Sequence, residues 1–369
     1  MAQQIQLRRD TAGNWLAENP ILADGEPGYE KDTGRMKYGD GISNWNALPY
    51  AISEGTGDGI TMVEDLPPTI PPGQIYGTTS GTLPPSGGGG RKSATLVVGF
   101  ATMGHTEADV DILLTGANDN VLLQRGHDSL PSTGGEIIVL GGTCNLGGAI
   151  TISKPNVTIR GMGNATVFKR VYNDTEGNGL ITITGSNCTL TNFDLNGNRS
   201  AYTATVNHGI RLTGGQFARL VGLRIHDTQS AVWGSAGDCN ILDCIIDGTN
   251  ARGLYLNASG CLIKGNTIKS ATTAINLYSA AAVNNVVIGN ILLSNSTGVL
   301  LSGGAARNTV TGNHIMRGTG LAGDYTTDQY TIRLTDAATA NNLITNNMIF
   351  GKDVADAATG TTLANNKYN

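Results

Sequence analysis

Two short strand patterns recur in step along the second half of the chain, and this repeat constrains the fold more than any other feature. In the first pattern an apolar residue is followed five positions later by another, as in VTGNHI at 310–315. Its copies begin at Leu190, Leu220, Ile241, Ile263, Val287, Val310 and Ile344. Copies of the second pattern begin at Ile210, Val232, Leu254, Ile275, Val299 and Ile332. Most successive copies lie 21–24 residues apart in both patterns, so the two strands share one period.

A period of about 22 residues with two or three short strands in each repeat predicts a parallel β-helix. One coil of such a chain cannot bury its inner face alone, whereas coils stacked about 4.8 Å apart form a continuous core. A leucine-rich repeat is the structural alternative. It would carry a helix or 3₁₀ segment in each repeat within a fixed leucine frame, and the sequence has neither. The predicted fold class is therefore all-β, with the β-helix over residues 93–369.

An asparagine recurs inside the first pattern, where a strand does not favour it. The residues at this position are Phe193, Leu223, Cys244, Asn266, Asn290, Asn313 and Asn347. Because the early copies hold Phe, Leu and Cys, we predict a buried position at a bend between two strands. A stacked asparagine can bond to backbone groups that the bend leaves unpaired and to the amides of neighbouring coils. The functional alternative is a polar ligand site.

Composition and charge argue against several functional classes for this protein. Charged residues make up 14% of the chain, and a net charge of −5 without a Lys/Arg run argues against a nucleic-acid partner. No stretch approaches the roughly 20 apolar residues of a membrane span. The start MAQQIQLRRD is not a signal peptide, so we expect synthesis in a cytoplasm. The cysteines lack metal-ligand spacing and are expected to be free and buried, with no cofactor or metal implied: Cys144, Cys188, Cys239, Cys244 and Cys261.

Three segments differ in composition. Residues 1–52 are polar and hold two of the three tryptophans, Trp15 and Trp45. Residues 53–92 contain three Pro-Pro pairs and a glycine run, which predicts a linker. Residues 93–369 carry the repeats. At their start, 106–129 has apolar residues at roughly helical spacing and acids near its beginning, which predicts a short capping helix.

Two of these segments resemble phage proteins. The segment after the predicted helix is similar to the opening of pectate-lyase-like right-handed β-helix proteins of phage tails. The residues that carry this similarity are LPSTGGEIIVLGGTCNL and NVTIRGMGNATVFKR. Residues 4–50 resemble the N-terminal module of phage tropism-determinant and tail-fibre proteins. The motifs that carry this resemblance are NPILADGEPGYEKDTG, KYGDG and WNALPY. The resemblance implies a right-handed coil in a homotrimeric tail fibre or tailspike, a virion component. A small β-rich module, residues 1–52, would serve trimerisation and attachment to other tail or baseplate proteins.

Longer intervals between the two patterns predict loops at one corner of the coil. Segments 196–208 and 317–329 add residues at the same point of the repeat, and four short coils lie between them. We expect the two loops to border a groove about 20–25 Å wide, at about 4.8 Å for each coil. Loops on a rigid scaffold commonly carry binding. Tyr202 and Tyr325, one in each loop, are therefore candidate glycan contacts.

Outward residues beside this corner are further candidates for binding a host surface polysaccharide. On the second pattern they are Arg211, Trp233, Tyr255, Asn276, Leu300 and Arg333. At the end of the first pattern they are Asn196, His226, Asp247, Lys269, Leu293 and Met316. The aromatic faces suit sugar rings, and the polar side chains can bond to hydroxyls or carboxylates. A trimer contact or a plain surface would also account for such columns. The chosen glycan contacts are Arg211, Trp233, Tyr255, Asn276 and Lys269.

The predicted function is glycan binding by a phage tail fibre or tailspike, and the alternative is a depolymerase that hydrolyses or lyses polysaccharide. A glycosidase needs two carboxyl groups about 5–10 Å apart. No two acids fall in one outward column on adjacent coils, and Asp194 is expected to pair with Arg224. Asp247 and His226, on adjacent coils, are the remaining catalytic candidates. The sequence therefore favours binding without cleavage.

Overall fold

The computed structural model describes residues 8–50, 94–318 and 329–368. The chain divides into two compact units, Met1–Arg91 and Lys92–Asn369. The predicted linker at 53–92 lies outside the described residues, and so do Tyr325 and most of the predicted loop at 317–329.

The first unit contains a three-stranded sheet in which Pro27–Glu30 is the central strand. Arg8–Asp10 runs parallel to it on one side, and Met36–Tyr38 runs antiparallel on the other. A helix at Ala12–Glu18 and a 3₁₀ turn at Trp45–Ala47 complete this unit.

Trp15 and residues from the quoted N-terminal motifs meet in the core of this unit. The rings of Trp15 and Trp45 stack with centroids 4.1 Å apart. The buried Lys37 ammonium donates to the Trp45 carbonyl at 2.8 Å and lies 4.4 Å from the centre of the Tyr50 ring. Burial lowers the pKa of Lys37. The Tyr50 hydroxyl donates to Glu30 at 2.9 Å, so the motif residues hold this small module together.

Each coil of the second unit contributes strands to three parallel stacks, and every strand pairs with its counterparts in the coils before and after. The first stack is Arg219–Val221, Asn240–Leu242, Leu262–Lys264, Val286–Ile288, Thr309–Thr311, Leu343–Thr345 and Thr362–Ala364. The second stack is Arg224–His226, Ile245–Asp247, Thr267–Lys269, Ile291–Asn295, His314–Arg317, Met348–Phe350 and Lys367–Tyr368. Two longer strands, Val157–Arg170 and Thr189–Asn196, pass through both stacks.

The third stack follows the second around a corner of the coil. It is made of Ile150–Ile152, Ile181–Ile183, Ile210–Leu212, Ser230–Gly234, Arg252–Leu256, Thr273–Tyr278, Thr297–Ser302, Ile332–Leu334 and Ala355–Asp356. The predicted apolar columns lie in register along these stacks, from Leu190 to Ile344 in the first and from Ile210 to Ile332 in the third. All of these column residues are fully buried, and the five cysteines are free and buried among them. The predicted parallel β-helix is confirmed.

Four further strands and one helix form the N-terminal end of the coil. The strands are Thr95–Phe100, Ile112–Leu114, Gly135–Val139 and Gly142–Leu146, with a 3₁₀ turn at Ala101–Met103. The helix covers only Asp119–Ser129, so the prediction of a helix over 106–129 is wrong for its first half. There Ile112 and Leu114 are buried in alternation and pair with the strand before them. Positive φ angles at Gly116 and Asn118 then separate strand from helix.

The predicted asparagine stack is confirmed. Asn290 accepts a hydrogen bond from the Asn266 amide N–H at 2.9 Å, and its own side-chain NH₂ donates to the Ile263 carbonyl at 3.0 Å and to Asn313 at 2.9 Å. The same pattern continues through Asn347. A second ladder, which the sequence interpretation missed, occupies the bend before the first stack and comprises Asn285, Asn308 and Asn342.

The residue before each asparagine of the first ladder adopts the left-handed conformation. Gly265, Gly289 and Gly312 have φ angles of 70°, 63° and 64°, and Asn346 has 57°. Glycine and asparagine adopt this conformation at low cost, whereas β-branched residues do not. The Gly-Asn pair of VTGNHI therefore serves two purposes, since the first residue turns the chain and the second bonds to the groups that the turn leaves unpaired.

Candidate functional site

The outward face of the third stack carries an aromatic cleft. Arg211, Trp233 and Tyr255 are direct register partners on three successive coils. Their neighbours along each strand face the core, so alternation along the strand directs these three side chains outward. The cleft has a volume of about 280 Å³. It is lined by Arg211, Thr213, Trp233, Gly234, Ser235, Tyr255, Asn257 and Tyr278.

Two arginines stack on the aromatic rings of the cleft. The guanidinium carbon of Arg211 lies 4.6 Å from the centre of the Trp233 ring, and that of Arg252 lies 4.4 Å from the centre of the Tyr255 ring. Tyr278 extends the aromatic surface, with its ring centre 5.6 Å from that of Tyr255. Cation–π contacts of this kind hold both partners in place. The rings and charges thus form a continuous strip over neighbouring coils.

Two loops form a wall at the Arg211 end of this strip, although none of their residues lines the cleft. The predicted loop at 196–208 is present at the corner between the second and third stacks, and it packs against an insertion at 171–179 on the preceding coil, which the sequence interpretation missed. Asn207 joins the two, since it accepts from the Asp174 amide N–H at 2.8 Å and donates to Asn173 at 3.1 Å. Arg211 donates to the Gly177 carbonyl at 2.9 Å, which ties the wall to the floor of the cleft.

A buried cation lies behind the wall. Arg170 is fully buried and donates to the His208 carbonyl at 2.6 Å, with its guanidinium 4.7 Å from the centre of the Tyr172 ring. Its Nε and Nη1 atoms are buried without a hydrogen-bond partner. The His208 ring lies 5.2 Å from that of Trp233. Burial lowers the pKa of His208 to about 4, so this ring is neutral at pH 7.

Asn276 does not have the exposure that the sequence predicts. It lies in the outward column, but it is 2% exposed, and the Ser302 hydroxyl donates to its side chain. The register places it directly between Tyr255 and Leu300, whose larger side chains leave it little access to solvent.

The predicted residues on the second stack lie outside the cleft lining. Lys269 forms an ion pair with Asp247 at 3.2 Å. His226 bonds to the buried Asp194 at 2.9 Å, and this hydrogen bond raises the pKa of the imidazole. Asp194 also accepts from Arg224, which confirms the predicted pair. These contacts form a local network of charges in which each candidate side chain already has a protein partner.

Tyr202, the candidate from the first loop, is half-buried and is not among the lining residues. Conversely, the sequence interpretation missed Tyr278, Arg252, His208 and Arg170. Tyr278 could have been found, because it lies two residues beyond Asn276 on the same outward face. For Arg252 no signal existed, since strict alternation from Tyr255 places it inward.

Acidic groups are scarce at this site. None of the cleft-lining residues is an aspartate or glutamate. In the wall, Asp174 accepts from three backbone N–H groups, those of Glu176, Gly177 and Gly179. Among the described residues there is no cluster of three His, Cys, Asp or Glu side chains suited to a metal ion. In the same part of the chain, no helix has the length and apolarity needed to cross a membrane.

Comparison with known proteins gives two family matches. Residues 5–43 match the major tropism determinant N-terminal domain. Residues 148–315 and 208–368 match the right handed beta helix region, and together these two ranges cover more than half of the chain.

Individual relatives are more distant. A hyaluronoglucosaminidase of Streptococcus pyogenes phage H4489A is 40% identical over 47 residues, which are 13% of this chain and 13% of that protein. An alginate lyase from Paenibacillus is 14% identical with a TM-score of 0.48, over 72% of this chain and 99% of the lyase. The ORF18 protein of Geobacillus virus E2 is 15% identical with a TM-score of 0.45, over 98% and 73%. The Dettilon tailspike protein is 14% identical with a TM-score of 0.41, over 67% and 64%.

The family matches account for both units of the structure. The tropism-determinant match falls on the module in which Trp15 and Trp45 stack, and the beta-helix match covers most of the stacked coils. They confirm the resemblance to phage tail proteins and the right-handed coil that it implied. The chain belongs to the right-handed beta helix family and carries a major tropism determinant N-terminal domain, the combination expected of a phage tail protein.

Proposed function

We propose that this protein is a phage tail fibre or tailspike component that binds a glycan of the host cell surface through the cleft around Trp233 and Tyr255. The observation that carries the proposal is the aromatic strip of Trp233, Tyr255 and Tyr278, which lines a cleft of about 280 Å³. Aromatic faces in a shallow, preformed cleft suit the apolar faces of sugar rings, and the surrounding polar groups suit hydroxyls.

The experiment compares binding of the purified full chain to host cells with that of the variants Trp233→Ala and Tyr255→Ala. Buried aromatic anchors typically contribute about 2 kcal/mol or more to binding, which corresponds to roughly a 30-fold loss of affinity. Tyr368→Ala is the matched control, because this tyrosine is 50% exposed at the last strand of the second stack. Unchanged cell binding by both cleft variants would remove the proposal.

The alternative is a depolymerase. Two carboxyl groups about 5–10 Å apart would be required for glycoside hydrolysis. The nearest candidates by sequence, Asp247 and His226, are engaged with Lys269 and Asp194. We therefore propose binding without cleavage. Incubation with host polysaccharide should release neither reducing ends nor unsaturated products, and release of either product that Asp247→Asn abolishes would establish the alternative.

We also propose that the protein acts as a homotrimer in the virion, joined to other tail or baseplate proteins through residues 1–52. Exposed apolar residues on the second stack support assembly, because Ile245, Ile291 and Met348 are 48%, 43% and 45% exposed on one outward line, where they alternate with Thr267 and His314. Light scattering should give three times the chain mass. The double variant Ile291→Glu, Met348→Glu should give a smaller species, and a monomeric mass for the unchanged protein would contradict the trimer.

A further inference from the structure

We infer that the cleft selects acidic saccharides, binding sugar carboxylates at the guanidinium groups of Arg211, which lines the cleft, and Arg252, which lies beside it on the Tyr255 ring. This inference rests on the proposed function, since it names the class of glycan that the same cleft would take. The lining of the cleft includes a positive charge and no negative one, whereas the net charge of the whole chain is −5.

The two arginines of the strip have no acidic partner. Within the described part of the chain, neither Arg211 nor Arg252 belongs to an ion pair. Arg211 donates through Nη1 to a carbonyl and a side-chain amide, both uncharged, and its Nε is buried without a partner. Both guanidinium groups lie over aromatic rings. Three other cations of the coil, Arg160, Arg224 and Lys269, each pair with a carboxylate.

A third positive charge lies behind the wall. Arg170 is fully buried with two nitrogens unpartnered, and His208 separates it from the Trp233 ring. Burial lowers the pKa of the His208 imidazole, the Asp174 carboxylate opposes this shift, and the charges of Arg170, Arg211 and Arg252 add to the lowering. Buried charges normally have partners. An anion in the cleft would offset this local excess of positive charge.

The nearby acids offset only part of it: the Asp174 carboxylate acts on both Arg170 and His208, but neither it nor Glu176 lines the cleft. Asp174 is 5% exposed, and its carboxylate is occupied by three backbone N–H groups of its own loop. Glu176 is exposed on the wall and accepts from Asn178. No acid lines the cleft, although acids outnumber bases in the chain by 29 to 24. A guanidinium matches a planar carboxylate with two parallel hydrogen bonds, which a hydroxyl cannot reproduce.

The test compares acidic oligosaccharides with their carboxyl-reduced forms. The probes are labelled oligomers of galacturonate, mannuronate and hyaluronan, each with its reduced counterpart, and binding to the full chain is measured at about 0.15 M salt, where exposed charges are screened beyond about 8 Å. We expect at least one acidic oligomer to bind about tenfold or more tightly than its reduced form. The double variant Arg211→Gln, Arg252→Gln should abolish this difference.

The matched control is Arg219→Gln, Lys264→Gln, which removes the same charge from exposed positions on the first stack and should keep the preference. Equal binding of acidic and reduced forms, a preference for the reduced forms, or no binding of any acidic oligomer would overturn the inference. Host-cell binding that depends on Trp233 would in each of these cases leave the proposed glycan function standing. Cell binding that is indifferent to Trp233 would instead remove the proposed function itself.

Discussion

Replacing one rung of the asparagine ladder tests whether its hydrogen bonds hold the coil together. Asn290 is 1% exposed in the middle of the ladder. Leucine has a similar size, and Leu223 already occupies the same position in an earlier coil. Asn290→Leu therefore removes the hydrogen bonds of the amide while keeping the site filled.

The free-energy cost of Asn290→Leu depends on which buried backbone groups lose their only hydrogen-bond partner. The buried Asn266 backbone N–H donates to the Asn290 side chain at 2.9 Å and would lose its acceptor. The Ile263 carbonyl accepts from Asn290 at 3.0 Å, but it also lies in the strand ladder with Val286–Ile288. The Asn266 NH₂ keeps the Ile241 carbonyl, and Asn313 keeps the Asn290 backbone N–H. One orphaned backbone N–H predicts a loss of about 1–3 kcal/mol in the local opening free energy.

Hydrogen exchange of a peptide covering 262–270 measures this loss, because repeat proteins open locally rather than as one unit. A loss of about 2 kcal/mol corresponds to exchange about 30-fold faster. Asn366→Leu is the matched control, since Asn366 is the half-buried last rung, where water can replace the amide. If the two variants accelerate exchange in their own coils equally, the ladder bonds do not stabilise the bends.

Two further predictions concern pH and packing. The folded-state pKa of His208 is about 4, below its usual 6.5, so the unfolded chain takes up the proton first and stability falls as the pH drops from about 6.5 to about 4. His208→Gln should flatten this fall in urea midpoints, and an unchanged slope would contradict it. At Gly298 a Cβ would lie 2.4 Å from Ile315 Cγ2, so Gly298→Ala should cost about 1–3 kcal/mol by overpacking. Gly13→Ala, in the open within Ala12–Glu18, should instead stabilise by about 0.5–1 kcal/mol, and thermal melts of both variants check the signs.

The coil could be predicted from sequence because burial imposes the same alternation on every repeat. Leu190 and Ile210 begin columns whose members must all face inward, and one residue of slip would expose each column. The helix start was not predictable in this way. Ile112 and Leu114 fit a helical spacing as well as a strand, and short apolar runs do not distinguish the two.

The cleft was predicted only as far as the repeat extends. Trp233 and Tyr255 follow from alternation on regular strands, which is why their column was found. The insertion at 171–179 follows the long strand Val157–Arg170, where the repeat is irregular and gives no register. The burial of Arg170 depends on that loop, and therefore no pattern in the sequence indicates it. Alternation along the strand correctly placed Asn276 in the outward column, but it did not predict exposure. The larger side chains of Tyr255 and Leu300 on either side keep Asn276 buried.

The regular and irregular parts of the coil contribute different properties to the site. Register alone would give a flat strip, since Arg211, Trp233 and Tyr255 project from one face of a continuous sheet. The two inserted loops add the wall at one end of the strip, where Arg211 donates to the Gly177 carbonyl. Because the rings and charges are fixed before any ligand arrives, little ordering is required on binding. Selectivity among glycans should then depend on the irregular segments, which can change without disturbing the buried columns that maintain the fold.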